Sequence, residues 1–373
     1  IRLGASGYRV IVVESRDRPG GRMWTDHSLG TAVDLGAAWI HGDSSSNPLM
    51  KMVDRYGLST KATEWDETWL FDIGYGEIED ESYDSIWRRS EDIIERLYEA
   101  QSTASSQRSV ADALAPILKR LSGDSIVKRG IQWRLASEIE VEYADNYDQL
   151  SLKHWGMDEK FRGDDVVVSG GFQKIVEPMT RGLDIRYGHV VDKVSYDGSG
   201  VRVTTNQGVI ESERVVVTIP LGVLQQERVQ FEPPLPEEKI DSIGRLGMGV
   251  MNKIALRFSK RFWPEDAYRL GLLNSSTENL TEYFPITPYS GESVIVGLTR
   301  GRHAKSIEMA SKEDVIQHAL SDLKFMLGSA VPSRPVGSVV TRWHSDEFSH
   351  GAYSHVSPGG SFSDYRTLAR SLG

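Results

Sequence analysis

Apolar residues along the chain follow two different periods. Tyr8 to Val13 is a continuous, mostly β-branched run, typical of a parallel strand covered on both faces. Asn47 can cap a helix that has Pro48 in its first turn and ends near Gly57. Helical patterning then dominates to about residue 134. The N-terminal pattern therefore predicts a buried strand, a capped helix and a largely helical region.

Two segments of this helical region differ in character. Apolar residues recur at helical spacing from Ile86 to Ala100, which predicts an amphipathic helix. The acidic run from Glu77 to Glu81 lacks periodic apolar residues, so we expect a solvated loop there.

From Asp165 the pattern changes to that of strands. Gly-containing turns separate short apolar runs, and prolines at 233, 234 and 236 indicate a linker before a last region of strands and one helix. The predicted strands are 166–168, 190–196, 201–205, 214–219 and 250–256, and the predicted helix is 313–327. This order predicts an α/β protein with a mixed sheet.

Composition narrows the functional class only in part. At 373 residues and 39% hydrophobic side chains, the chain exceeds the usual size of one core, which predicts two domains. No apolar run approaches the roughly 18 residues that span a bilayer, so no membrane partner is expected. The net charge of -10 argues against nucleic-acid binding. It is compatible with a cationic substrate, although ordinary solubility is the favoured explanation of this charge.

The chain contains no cysteine, which excludes disulfides, thiolate metal sites and a cysteine nucleophile. A reducing compartment, cytoplasmic or peroxisomal, is slightly favoured, and no metal site is predicted. The oligomeric state is not encoded in any pattern that we recognise.

Three features could bind a dinucleotide. Glu14 closes the Tyr8–Val13 strand, which looks like the second strand of a dinucleotide-binding unit, where a carboxylate can accept hydrogen bonds from ribose hydroxyls. Gly20 and Gly21 permit close approach of backbone N–H groups to a pyrophosphate, and Arg22 can neutralise it. Taken alone, Glu14 could be a solvent-facing strand end, and the two glycines with Arg22 could be an ordinary turn. The occurrence of Glu14 together with this turn favours cofactor binding.

Lys253 lies within an otherwise apolar strand. Burial of an ammonium group costs several kcal/mol unless the group is paired or its pKa falls, which favours a functional role. The alternative is an edge-strand lysine whose head group reaches solvent.

Several of these motifs, in this order, resemble the flavin amine oxidase family, which includes polyamine oxidases, monoamine oxidases and lysine-specific histone demethylases. The resemblance spans essentially the whole chain and is closest to the polyamine oxidases. The matching segments are 12–22, 34–42, 217–224, the Lys253 strand and Thr341-Arg342-Trp343.

The resemblance implies an α/β fold with a truncated, Rossmann-like FAD-binding domain of glutathione-reductase type and a discontinuous α+β substrate domain of mixed sheet and helices. The FAD-binding domain would comprise 1–50, 162–245 and the start of a third part at 351–373. The substrate domain would comprise 51–161 and 246–350.

The resemblance also assigns cofactor roles. Glu14 and Arg22 would hold the ribose and diphosphate of FAD, and Val191 or its neighbour Val190 would contact the adenine through its main chain. Trp343 would lie beside the flavin, and Lys253 would hydrogen-bond through a water to flavin N5.

Substrate roles follow in the same way. His41 would face the substrate amine, Glu142 resembles an acidic substrate-site position, and Tyr353 resembles one wall of an aromatic cage. Ala352 stands where monoamine oxidases tether the flavin through cysteine, so FAD should be noncovalent. Each of these residues also has an alternative without a substrate role. His41 could be a packed loop residue, and Tyr353 could be a core residue. For Glu142 the residue pattern favours the alternative, a surface carboxylate.

The implied reaction is oxidation of a polyamine such as spermine, spermidine or an acetylated form by hydride transfer to FAD, with imine hydrolysis and release of H2O2 from O2. A histone-lysine demethylase is the rival enzyme, and a non-catalytic module is the rival of another class. The family's first strand with its Gly-x-Gly-x-x-Gly turn and its closing Phe-Ala-Gly-Glu segment do not occur in the sequence. We therefore expect these residues alone to retain FAD weakly or not at all.

Overall fold

The computed structural model describes residues 2–121, 125–158, 160–273 and 281–372 of the chain. Within these ranges, no helix combines the length and the apolar character that crossing a bilayer requires. The elements up to residue 77 are α1 (Arg2–Ala5), β1 (Ile11–Val13), β2 (Thr25–Asp26), β3 (Val33–Asp34), β4 (Trp39–Ile40), α2 (Pro48–Tyr56), β5 (Thr60–Ala62), β6 (Thr68–Asp72) and β7 (Gly76–Glu77).

A helical region follows and leads into the first strands of the second half. Its elements are α3 (Asp80–Gln101), α4 (Val110–Arg120), α5 (Ile126–Leu135), a π-helix (Ala136–Val141), a 3₁₀ turn (Tyr147–Gln149), β8 (Val166–Val168), α6 (Gln173–Thr180) and β9 (Asp184–Arg186). The next elements are β10 (Val191–Asp197), β11 (Gly200–Thr205), β12 (Gly208–Ser212), α7 (Leu221–Gln225), β13 (Gln230–Glu232), α8 (Glu237–Arg245), β14 (Leu246–Met248), β15 (Met251–Arg257) and β16 (Arg269–Leu273).

The last part of the chain completes the large sheet and ends in a helix. Its elements are β17 (Thr281–Pro285), α9 (Thr287–Ser290), β18 (Val294–Arg300), α10 (Gly301–Glu308), α11 (Lys312–Leu327), a 3₁₀ turn (Gly328–Ala330), β19 (Gly337–Val340), β20 (Ser354–Val356) and α12 (Phe362–Ala369).

Seven strands form the largest sheet, in the order β19-β15-β18-β17-β16-β6-β7. All pairs are antiparallel except β16 and β6, which are parallel. Successive side chains of a strand face opposite sides. Ile254 and Leu256 of β15 therefore pack with α11, whereas Ala255 packs with Leu35 on the other face. The sheet thus separates two apolar layers, and Lys253 faces the layer that contains Leu35.

Smaller sheets surround this core. β1 and β9 pair in parallel, β10 pairs in parallel with β13, and β10, β11 and β12 form an antiparallel meander. β8 joins β4 and β5, while β14 pairs with β20 and β2 with β3. The fold is mixed α/β, which confirms the predicted fold class. The Rossmann-like description and the domain division stay predictions.

Local capping explains why the sequence located α2 correctly. The side chain of Asn47 accepts a hydrogen bond from Leu49 N at 3.0 Å, Pro48 is the first helical residue, and Gly57 ends the helix at φ 61°. The amphipathic helix (α3), the lysine strand (β15) and the helix from about residue 313 (α11) are likewise confirmed.

Three local predictions were wrong. Residues 60–77 contain β5, β6 and β7 instead of helix, because β6 pairs with β16, a partner about 200 residues away that helical spacing cannot reveal. Asp80 and Glu81 lie in the first turn of α3, where carboxylates interact favourably with the helix dipole. Residues 214–219 form no strand with any described residue, and Val216 is 72% exposed.

Candidate functional site

Lys253 is buried beneath the N-terminal segment, with 6% of its surface exposed. Its Nζ donates to Asp34 O at 2.8 Å and to Gly36 O at 2.7 Å, and it lies 5.8 Å from the ring centre of Trp39. Burial lowers the pKa of Lys253 from 10.5 to about 8, and the Asp34 carboxylate partly opposes that change. Lys253 therefore does not reach solvent from an edge strand.

Trp343 is fixed by the same segment as Lys253. Its Nε1 donates to Leu35 O at 3.1 Å, so the carbonyls of three consecutive residues, 34 to 36, accept hydrogen bonds from Lys253 and Trp343. The Trp343 backbone N also donates to Asn252 Oδ1 at 2.9 Å. These shared contacts set the distance between the amine and the indole.

The glycines of the phosphate-binding prediction form a tight turn. Gly20 and Gly21 adopt φ values of 95° and 57°, which L side chains rarely tolerate. The turn packs against residues 34–36, where a Cβ at Gly36 would lie 1.7 Å from Arg22 O. Only glycine permits this approach, which brings the turn next to the segment that holds Lys253.

Arg22 extends from this turn toward residue 352. Its Nη1 donates to Ala352 O at 2.7 Å, and burial lowers the pKa of the guanidinium. The residue as a whole is solvent-exposed while its charged end is partly desolvated, so the guanidinium lies in a recess. A desolvated cation gains most from an anionic partner.

Glu14 and Trp343 are connected through Arg16. Glu14 Oε1 accepts from Arg16 N at 2.9 Å, and the Arg16 guanidinium makes two hydrogen bonds to Asp346, at 2.9 and 2.6 Å. The Arg16 Cζ lies 5.9 Å from the Trp343 ring centre. The predicted adenosine end and the predicted flavin end are therefore joined by continuous contacts.

Val191 begins β10 close to Glu14. His189 N donates to Glu14 O at 3.0 Å, and β10 departs from regular register between Val191 and Lys193. Irregular pairing of this kind leaves main-chain groups that can contact a ligand.

His41 directly follows β4, the strand whose Trp39 ring lies near Lys253 Nζ. Its Nδ1 is 3.1 Å from Asp165 Oδ1, and the side chain is 65% exposed. The hydrogen bond to Asp165 raises the pKa of His41, and the charge of Glu142 adds to this effect. Desolvation raises the pKa of Glu142, while His41 lowers it. Glu142 is a surface residue, as its residue pattern favoured, and its carboxylate interacts with His41.

Tyr353 connects this acidic region to β15. Its Oη donates to Val141 O at 2.7 Å and lies 3.7 Å from Met251 Sδ. Burial raises the pKa of Tyr353, and the Glu142 charge contributes. The three predicted substrate residues His41, Glu142 and Tyr353 therefore belong to one electrostatically coupled group.

Sequence reasoning missed several supporting residues. Asp165 pairs with His41, Asp346 pairs with Arg16, and Glu140 of the π-helix forms a buried ion pair with Arg300 of β18. Each partner is more than 100 residues away, and no local pattern indicates such pairs. The strand signal at 166–168, which directly follows Asp165, was the only hint that Asp165 would lie beside β4.

The residues present fit a flavin dinucleotide. Glu14 offers a carboxylate at one end, Arg22 and two left-handed glycines lie between, and the Lys253 ammonium has three N–H groups but only two acceptors among the described residues. The described part of the chain contains no group of three or more His, Asp or Glu side chains that could hold a metal.

Comparisons with known proteins agree with this fit. The family model described as "Flavin containing amine oxidoreductase" matches residues 1–373. Polyamine oxidase 2 of Arabidopsis thaliana is 33% identical over 367 residues, covering 95% of this chain and 74% of that protein. Lysine-specific histone demethylase 1 homolog 2 of the same plant is 31% identical, covering 100% of this chain and 52% of that protein.

A solved structure of wild-type putrescine oxidase with bound putrescine has a similar fold. Its TM-score is 0.72 at 22% identity, and the match covers 99% of this chain and 87% of that one. At this identity the likeness concerns the fold alone.

Proposed function

Because the chain belongs to the flavin containing amine oxidoreductase family, we propose that it is an FAD-dependent oxidase of polyamines, such as spermine, spermidine or their acetylated forms. The similarity to plant polyamine oxidases at 33% identity supports this substrate class. The products would be an aldehyde, an amine and H2O2. FAD would be bound noncovalently, since the chain has no cysteine that could tether it.

The single observation that carries the proposal is the position of Lys253. A buried ammonium group with a pKa of about 8 lies beside Trp343 and is connected by contacts to Glu14. Such a group can donate a hydrogen bond to a ring nitrogen, directly or through water, and can exchange a proton near neutral pH.

When bound, FAD would supply the two-electron acceptor for a hydride from the carbon next to the substrate nitrogen. The protein would bind and orient both molecules. Glu14 would accept hydrogen bonds from the ribose, Arg22 and the backbone of Gly20 and Gly21 would bind the diphosphate, and Val191 would contact the adenine.

On the substrate side, His41 would remove a proton from the ammonium form of the amine. Only the neutral imidazole can accept a proton, and the hydrogen bond to Asp165 raises the pKa of His41. Turnover that depends on His41 should therefore increase as the pH rises through this raised pKa. Tyr353 would pack against the alkyl chain, and the Glu142 carboxylate would attract a second positive charge.

The test uses the chain supplied with FAD. Peroxide release would be measured with spermine, spermidine, their acetylated forms and putrescine, and FAD binding would be followed by quenching of flavin fluorescence. We expect peroxide from at least one polyamine, and a loss of about 100-fold or more in Lys253→Met. Lys324→Met on the exposed face of α11 is the matched control. Flavin binding without peroxide from any amine would contradict the proposal.

A methylated histone-tail peptide should be included as a competing substrate. The similarity to a plant histone demethylase homolog, which covers the whole chain, makes this the specific alternative. Release of peroxide with the peptide but not with polyamines would assign histone-lysine demethylation to the chain instead of polyamine oxidation.

A further inference from the structure

A cavity of about 260 Å³ lies next to residues that neighbour the candidate site in the chain. Its walls are residues 150–158, β20 and the first turn of α12. None of its lining residues is assigned above to FAD or substrate. It is nevertheless adjacent, because the lining residues Tyr143 and Ser354 directly follow Glu142 and Tyr353 in the chain.

Buried polar atoms line this cavity without a protein partner. Ser151 Oγ, His154 Nδ1 and His355 Nδ1 make no hydrogen bond to any residue that the structure describes. Ser151 is fully buried and His355 is 3% exposed. Buried polar groups are nearly always hydrogen-bonded, so three such atoms around one cavity indicate that a ligand or ordered water binds there.

The chemistry of these atoms favours a hydrogen-bond donor. His355 Nε2 lies 3.2 Å from Asp145 Oδ2. A carboxylate can only accept, so Nε2 carries a hydrogen, and Nδ1 is the ring nitrogen that can accept from a ligand when the ring is neutral. Ser151 Oγ adds further acceptor capacity.

The remaining walls favour a cation over an anion. Asp158, which accepts a hydrogen bond from Tyr143 Oη at 2.6 Å, contributes a negative charge. The rings of Trp155, Phe362 and Tyr365 also line the cavity. Aromatic faces and a carboxylate attract an ammonium group and disfavour phosphate or carboxylate ligands.

We propose that this cavity binds a primary ammonium group through Ser151, His355 and Asp158. The inference goes beyond the proposed oxidation, since it requires neither flavin nor turnover. The group would belong either to a separate small amine or to the far end of a long polyamine whose other nitrogen lies near His41. Both sources present the same chemistry to the cavity.

The test is a titration of the whole chain with methylammonium chloride, followed by NMR of the histidine rings. Sodium chloride at equal ionic strength is the reference, and exposed His318 on α11 is the internal control. We expect saturable shifts of the His154 and His355 signals with methylammonium only. Ser151→Ala and Asp158→Asn should each weaken binding about tenfold, the effect of losing one hydrogen bond to a charged group.

Asp192→Asn removes an exposed carboxylate from β10 and should leave binding unchanged. Circular dichroism would confirm that Ser151→Ala is folded, and Asp158→Asn tests the same site from its exposed rim.

A putrescine titration distinguishes the two sources of the ammonium group. If putrescine binds more tightly than methylammonium, and Glu142→Gln weakens the binding of putrescine, then one molecule bridges the cavity and the site near His41. If putrescine and methylammonium bind equally tightly, the cavity binds a separate amine. Shifts that do not saturate, that sodium chloride reproduces, or that survive in both variants would overturn the proposal and leave ordered water in the cavity.

Discussion

Replacement of Lys253 by methionine should change how the stability of the protein depends on pH. The pKa of Lys253 falls from 10.5 to about 8 in the folded protein because the ammonium group is desolvated. Between these two values the unfolded chain binds the proton and the folded chain does not, so stability rises with pH across this window. The lowered pKa of Lys253 reduces the free energy of unfolding by about 3 kcal/mol. This loss of stability is complete below pH 8 and absent above pH 10.5.

Methionine abolishes this dependence. At neutral pH the net effect should be small, because removal of a buried charge is offset by two carbonyls, Asp34 O and Gly36 O, that lose their donor at roughly 1–3 kcal/mol each. The distinguishing signal is therefore the slope and not the stability at one pH.

Urea unfolding from below pH 8 to 10.5 would measure this slope. The free energy of unfolding of the original protein should gain up to about 1.4 kcal/mol per pH unit relative to Lys253→Met. Lys324→Met, which removes an exposed lysine from α11, should follow the original protein. Parallel curves for the original protein and Lys253→Met would refute the assignment of a depressed pKa to Lys253.

Three further changes test the same site. Gly36→Ala should lower the free energy of unfolding by more than about 3 kcal/mol, measured in urea, because its Cβ would lie 1.7 Å from Arg22 O; an unchanged midpoint would show that the two segments do not pack this closely. Arg22→Gln should weaken FAD binding about tenfold in a fluorescence titration, and equal affinity would remove Arg22 from the cofactor site. Asp165→Asn should lower the pKa of His41 toward its ordinary value of 6.5 in an NMR titration, since the hydrogen bond to Asp165 is the main cause of the rise; an unaltered pKa would exclude that cause.

The sequence was most informative where local chemistry decides the structure. Asn47, Pro48 and Gly57 located α2 because caps act through the backbone within a few residues. The apolar run around Lys253 located β15, since a strand covered on both faces has no polar alternation.

Pairing between distant segments could not be read in the same way. β6 was missed because its parallel partner, β16, lies far along the chain. The three carbonyls that hold Lys253 and Trp343 are invisible in sequence, since backbone groups carry no residue identity. The pairing of Asp165 with His41 was missed for the same physical reason: neither residue constrains the other until β4 pairs with β8.

The π-helix at Ala136–Val141 contributes to the direction in which Glu142 points. A π-turn holds about one residue more than an α-turn, and each residue of an α-helix rotates the chain by about 100° about the helix axis. Regular α-geometry at the same chain length would therefore turn the Glu142 carboxylate away from His41, whereas deletion of a single amino acid there would remove the extra residue and keep the direction. Natural variants that shorten this turn by one codon should keep both a folded helix and the attraction of cations to the surface beside His41.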